Sequence, residues 1–130
     1  MSYGTQAARA RYAADSLATA SPARLLVMLY DRLVRDLVTA EDALRESDLV
    51  TASDNLLHAQ AIVLELRTSL DLDVWDGARG LAGLYTFLHG ELVQGNMKKD
   101  GARVAACRRL VEPLRDAWRE AALQSIQQSA

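Results

Sequence analysis

Four stretches of apolar residues recur with the 3.6-residue period of an α-helix, and only short polar connections separate them. This pattern is the strongest constraint on the fold, because each amphipathic helix must bury its apolar face against another element. The apolar faces comprise Leu26, Leu29, Tyr30, Leu33, Leu37, Ala40 and Leu44; Leu56, Ala59, Val63, Leu66 and Leu70; Leu81, Leu84, Tyr85, Leu88 and Leu92; and Val104, Cys107, Val111, Leu114, Trp118 and Ala121. The sequence therefore predicts an all-α protein, an antiparallel up-down four-helix bundle.

Capping residues indicate where the helices begin. Ser21 and Pro22 provide an N-cap and a proline in the first turn, where its missing N–H costs nothing. Asp48, Asp76 and Asp100 each precede one of the next helices and are expected to cap them.

The chain is expected to divide into three parts. Residues 1–20 form an Ala-rich lead segment of weak periodicity, residues 21–124 form the bundle and residues 125–130 form a tail. The second helix is expected from about Val50 to Leu70, and Pro113 is expected to kink the fourth.

Composition narrows the functional classes. Hydrophobic residues make up 50% of the 130 residues, aromatic residues only 5%, and the formal net charge is −2, so no positive field favours nucleic acid. The single cysteine, Cys107, suits a reducing compartment. No apolar run is long enough for membrane insertion, and the N-terminus has no signal-peptide core. We therefore expect a cytoplasmic protein.

The helices carry more apolar residues than one buried stripe uses. On a helical wheel these extra residues lie away from the main faces. They are Val27, Val34 and Val38 in the first helix, Leu57, Ala61 and Leu64 in the second, and Phe87 in the third. A wide core face, or packing against residues 1–20, would account for them; so would a groove that accepts a partner's helix or extended segment.

Catalytic and metal-binding patterns are weak. His58 and His89 are solitary, and neither has a Glu three residues before it, as a di-iron bundle site would require. Cys107 lies on an apolar face, which favours a packing role. The segment from Gly90 to Gly95 has the glycine spacing of a phosphate-binding loop, but Asn96 follows where that motif needs Lys. We expect no enzyme, no metal and no cofactor.

Several segments, in order and at matching spacing, resemble the flagellar export chaperones of the FliS family. The first is similar to the family's TASPxxLIxMLYDG, the second to KAQxIIxELxxSLD, the third to LYxYMxxxLxxANxxxD and the fourth to LRDxWxEA. In this chain they read "TASPARLLVMLYDRL", "HAQAIVLELRTSLDL", "LYTFLHGELVQGNMKKD" and "LRDAWREA". Arg32, His58 and Gly95 depart from the family's usual Gly, Lys and Ala, and "DVWDGARG" matches the family's connection poorly.

The resemblance implies a four-helix bundle with an N-terminal segment packed over it. It also implies a cytoplasmic chaperone that binds the disordered C-terminal region of flagellin, prevents premature polymerisation and assists delivery to the export gate of the flagellar type III apparatus. The expected partner-binding residues are the extra apolar residues, with Tyr12 and Leu17 covering part of the groove in the absence of cargo. The alternative is a helical partner-binding or scaffold bundle outside flagellar export, one form of which would self-associate.

Overall fold

The computed structural model of the chain describes residues 22–129, and these form four helices joined by short connections. The helices are α1 (Pro22–Arg45), α2 (Leu49–Ser69), α3 (Ala78–Lys98) and α4 (Gly101–Ser129). α1 and α3 each pack against both α2 and α4, so the four helices enclose one core. The predicted four-helix bundle is confirmed, whereas the lead segment and Ser21 lie outside the described residues.

Two of the three predicted aspartate caps are present. Asp48 and Asp100 each accept a hydrogen bond from the backbone N–H three residues further on, at 3.2 and 3.1 Å. The third prediction is wrong, because Gly77 rather than Asp76 is the N-cap of α3, and it makes no side-chain cap. The indole ring of Trp75 lies against Gly77 so closely that a Cβ there would overlap it.

Ion pairs establish the direction in which the helices pack. Asp31, early in α1, pairs with Arg119, late in α4, at 2.7 Å. Glu41, one helical turn before the end of α1, pairs with Arg108, early in α4. Residue numbers therefore rise along one helix as they fall along its neighbour, which is the antiparallel arrangement expected from short connections.

The core follows the predicted apolar faces closely. Its buried members come from all four helices: Tyr30, Leu33, Val34, Leu37, Ala40, Leu56, Ala59, Ile62, Val63, Leu66, Tyr85, Leu88, Leu92, Val104, Cys107 and Val111. Ala121, also predicted to face the core, is exposed. The ion pair between Arg103 of α4 and Glu91 of α3 explains this exposure. Because the two helices are antiparallel, counting from this pair places the first residue of α3 beside Asp116. The part of α4 beyond Asp116, which includes Ala121, therefore has no neighbour in α3.

The last helix is longer than expected. It continues to Ser129, so residues 125–129, expected as a tail, are helical, and Pro113 lies inside it. Within the described part of the chain, no helix is both long enough and apolar enough to span a bilayer.

Candidate partner-binding surface

Exposed apolar side chains are present on every helix of the described chain. They include Leu25, Met28 and Val38 on α1, Leu49, Val50, Leu57 and Leu64 on α2, Phe87 and Met97 on α3, and Leu110 and Leu123 on α4, with Val74 and Trp75 in the α2–α3 connection. Exposed apolar side chains of this size can form a protein-binding surface when they are contiguous. Their arrangement on the bundle is therefore the feature to establish.

The extra stripe predicted on α1 is only partly exposed. Val38 is 42% exposed and Val27 is half-buried, whereas Val34 is only 6% exposed and belongs to the core. The placement of Val34 on an exposed second stripe is therefore wrong. α1 packs against both α2 and α4, so its buried face is wider than a single stripe and includes Val34.

The extra stripe predicted on α2 is exposed. Leu57 is 54% exposed, Leu64 is 48% exposed, and Ala61 between them is also exposed. Leu64 lies one turn after Gln60, whose side chain donates to the carbonyl of Leu92 in α3 at 3.5 Å. Helical spacing thus places this stripe on the outer surface of α2, towards α3.

The structure does not bring the predicted residues together on one face. Val38 lies one turn before Glu41, which pairs with α4, so it is on the α4 side of α1 and away from the α2 stripe. Phe87, 52% exposed, lies one turn before Glu91, which pairs with Arg103, and so faces the α3–α4 edge. Three separate edges result. Tyr12 and Leu17 lie outside the described residues.

A cavity of about 700 Å³ lies between the start of α1 and the end of α2. Its lining residues are Pro22, Leu25, Leu26, Met28, Leu29, Glu65, Leu66 and Ser69. A neighbouring cavity of about 420 Å³ shares four of them and extends to Val74, Trp75, Tyr85 and Trp118. The size and apolar lining of the larger cavity suit the side chains of a bound segment.

Sequence reasoning missed this site, although a signal for part of it was available. Leu25 and Met28 are three residues apart and lie outside the main apolar stripe of α1, so they share a surplus face like the one considered for the valines. The contribution of α2 to the cavity could not be predicted from the sequence, because Leu66 belongs to the ordinary core stripe. Trp75 comes from a connection whose path no periodicity specifies.

A polar cluster lies on the α1–α2 face of the bundle. Asp36 is only 1% exposed, and its Oδ1 accepts a hydrogen bond from Nε of Arg32 at 2.9 Å. Its Oδ2 is within hydrogen-bond distance of Nδ1 of His58, from α2. Burial of a carboxylate requires such partners. Arg32 and His58 are also two of the three departures from the family pattern, and both contact the same carboxylate.

A second polar cluster lies within the core, beneath the second cavity. The hydroxyl oxygens of Tyr30 and Tyr85 are 2.5 Å apart, and the partly buried Trp118 packs against the same core. These contacts join α1, α3 and α4. Burial is the main cause that raises the pKa of both tyrosines above the ordinary value of 10, so both are neutral at physiological pH.

The described residues offer little for metal or nucleophile chemistry. Residues 22–129 contain no group of three His, Cys, Asp or Glu side chains able to hold a metal ion. Cys107 is buried, and burial raises the pKa of its thiol to about 11, so it is a thiol rather than a reactive thiolate at neutral pH. The dominant chemistry of the surface is apolar contact bordered by charge.

Comparison with known proteins identifies the family. The family model for flagellar protein FliS matches residues 4–125, which is nearly the whole chain. The chain belongs to the FliS family. The resemblance to this family is thereby confirmed.

Individual relatives agree with this assignment. The "Flagellar secretion chaperone FliS" of Bacillus subtilis is 31% identical over 110 residues, covering 85% of this chain and 82% of the relative. The protein of the same name from Escherichia coli is 30% identical over 122 residues, covering 92% of this chain and 90% of the relative. The crystal structure of a bacterial flagellar chaperone superposes with a TM-score of 0.73 at 21% identity, covering 92% of this chain and 98% of that one, and supports the fold.

The segments that carry the FliS resemblance contribute both to the core and to the candidate surface. Tyr30 belongs to "MLYDRL" and Tyr85 to "LYTFL", and the hydroxyls of these two side chains are hydrogen-bonded in the core. The first two segments also supply the lining of the cavity between α1 and α2.

Proposed function

We propose that this protein is a cytoplasmic secretion chaperone that holds the C-terminal segment of flagellin and assists its delivery to the flagellar type III export apparatus. Membership of the FliS family supports this, as do relatives from Bacillus subtilis and Escherichia coli that are named flagellar secretion chaperones. The structural observation that carries the proposal is the exposed apolar surface beside a cavity of about 700 Å³.

The cargo surface in this proposal has more than one part. The cavity between α1 and α2 accepts apolar anchors, and the stripe of Leu57, Ala61 and Leu64 extends the contact around α2. Val27 and Val38 on the α4 side of α1, and Phe87 at the α3–α4 edge, serve the outer parts of a long cargo segment. Because these positions lie on different edges, a disordered segment that follows the surface suits them better than one straight helix.

We further propose that the lead segment competes with cargo. Tyr12 and Leu17 would cover part of the apolar surface in the absence of flagellin, as the family resemblance implies. With a cover of this kind, the apparent affinity equals the intrinsic affinity multiplied by the fraction of time during which the surface is accessible. Folding of a disordered cargo on binding loses about 2–5 kcal/mol to ordering, so the complex need not be so tight that export is prevented.

The α2 stripe is tested by calorimetric titration with the C-terminal segment of flagellin from the same organism. The double variant Leu57→Asp and Leu64→Asp places charge on the exposed stripe and is expected to weaken binding at least about tenfold, since each buried apolar side chain contributes about 1.5–3 kcal/mol. The matched control is Leu49→Asp, which changes a leucine of the same helix that is 50% exposed and lies in the first turn, where a carboxylate is favoured.

The outcomes are distinct. Saturable binding by the unsubstituted protein and by the control, with a loss in the double variant that still has native circular dichroism, supports the proposal. Unchanged affinity in a folded double variant removes the stripe from the cargo surface. Absence of binding by the unsubstituted protein contradicts the flagellin proposal itself.

The competition by the lead segment has a separate test in the full-length chain. Tyr12→Asp with Leu17→Asp is expected to increase the affinity for the flagellin segment, because an internal competitor is weakened. A decrease would place these two side chains in direct contact with cargo instead. No change would exclude any role for them in binding.

A further inference from the structure

We propose that Arg32 and Arg35 select the cargo, by pairing with an acidic side chain of the bound segment next to the apolar group that enters the α1–α2 cavity. This inference rests on the proposed function, because the segment is taken to be flagellin cargo. It concerns the chemistry by which the site distinguishes one segment from another.

The two arginines border a depression that shares Met28 with the cavity. A shallow depression of about 270 Å³ is lined by Met28, Asp31, Arg32 and Arg35. Met28 also lines the larger cavity of about 700 Å³. A side chain anchored in the cavity would thus have its neighbours, one helical turn away, over the two guanidinium groups.

The charge balance in this depression is positive. Asp31 is paired with Arg119 at 2.7 Å, and Asp36 accepts from Arg32 while it also contacts His58. Within residues 22–129, Arg35 has no ion pair or side-chain hydrogen bond, and Arg32 uses only its Nε.

Arg32 is also held in position. The bond from its Nε to the buried carboxylate of Asp36 fixes the guanidinium plane, so its terminal N–H groups remain available for a carboxylate. Arg35, one turn along the same face, adds a second positive charge. Glu65 lines the opposite wall of the cavity and disfavours a second acidic group there.

This complementarity specifies the occupant. It is a segment with an apolar anchor and an aspartate or glutamate within about one turn of it, the acidic group lying on the α1 side. A segment with lysine or arginine at that position would place like charges together. The site therefore discriminates by repulsion as well as by attraction.

The test is a charge exchange between the full-length protein and the flagellin C-terminal segment. Arg35→Glu is expected to weaken binding about three- to tenfold in low salt, since an exposed ion pair contributes about 0.2–1 kcal/mol and its reversal adds repulsion of similar size. Changing one acidic residue of the segment to Lys is expected to weaken binding to the unsubstituted protein and to restore it to Arg35→Glu. The control is Arg109→Glu, which changes an exposed arginine on α4.

Arg32 is tested by a graded pair of variants. Arg32→Gln is expected to weaken binding and Arg32→Lys to retain most of it, with unfolding curves measured for each because Arg32 also supports Asp36. Since Arg35 has no such partner in the described chain, Arg35→Glu keeps the test decisive if Arg32→Gln unfolds.

Each outcome has one meaning. Rescue by the exchanged charge, and a difference that shrinks in about 0.5 M salt, support the proposal. Equal losses in Arg35→Glu and Arg109→Glu indicate general attraction and overturn it, as does an affinity unchanged by Arg35→Glu. A change in self-association without a change in affinity assigns this face to a second copy of the chain and also overturns it. If the unsubstituted protein does not bind, the proposed function fails instead.

Discussion

The hydrogen-bonded tyrosines in the core make a quantitative prediction about stability. Tyr30→Phe leaves the Tyr85 hydroxyl without its partner in a buried site. An unsatisfied buried polar group costs about 1–3 kcal/mol. We therefore expect Tyr30→Phe to lower the free energy of unfolding by about 1–3 kcal/mol.

The partner substitution has a similar consequence. In Tyr85→Phe the Tyr30 hydroxyl is the one left without its partner, so a loss of about 1–3 kcal/mol is again expected. The double variant removes both hydroxyls and leaves no stranded one, so its loss should lie below the sum of the single losses. Urea unfolding at neutral pH, followed by far-ultraviolet circular dichroism, measures all three values. Single losses that add in the double variant within about 0.5 kcal/mol would refute the reasoning.

The same variants have a signature in alkaline solution. Burial raises the pKa of both hydroxyls above 10, the value of tyrosine in the unfolded chain. Their contribution to stability is therefore complete below about pH 10 and is lost as pH rises above it, by up to about 1.4 kcal/mol per pH unit for each group. The double phenylalanine variant should lose less stability between pH 10 and pH 11 than the unsubstituted protein. A parallel decline in both proteins would contradict this.

Other predictions test packing elsewhere. Cys107, with its thiol pKa raised to about 11 by burial, should react with iodoacetamide at pH 8 only at the rate of unfolding, and fast alkylation of the native protein would contradict its burial. Gly83→Ala, at an exposed helical position with open space, should raise the free energy of unfolding by about 0.5–1 kcal/mol, while Gly77→Ala should lower it because of Trp75; equal effects on urea midpoints would be inconsistent with this contrast. Asp36→Asn should cost about 1–2 kcal/mol in the same assay, since Arg32 and His58 are half-exposed and regain water; no loss would mean that the cluster is not stabilising.

Periodicity predicted the fold because helical burial is a local property of sequence. Asp48 and Asp100 cap their helices as expected, since a cap needs only a backbone N–H within the next turn. Val34 was misplaced because a wheel with one buried stripe ignores that α1 has two neighbours, α2 and α4. Gly77 could not be predicted as a cap, because its role depends on where the ring of Trp75 lies.

The candidate site was less predictable than the fold, for a related reason. Its cavity is formed where the start of α1 meets the end of α2, and its charged border depends on a carboxylate shared by two helices. Such contacts join residues far apart in sequence, and no spacing rule identifies them. The exposed apolar positions were predicted in part. Leu57, Ala61 and Leu64 recur at helical spacing, and these three residues, with Val38 and Phe87, are exposed.

The segments that identify the family have two roles in this molecule. They place Tyr30 and Tyr85 in the core, where a change disturbs packing whatever the partner is. They also line the cavity between α1 and α2. Arg32 and His58, which depart from the family pattern, lie on the α1–α2 face around Asp36, where a change alters charge at little cost to the rest of the core. A bundle organised in this way can keep its fold while the charge on this face changes.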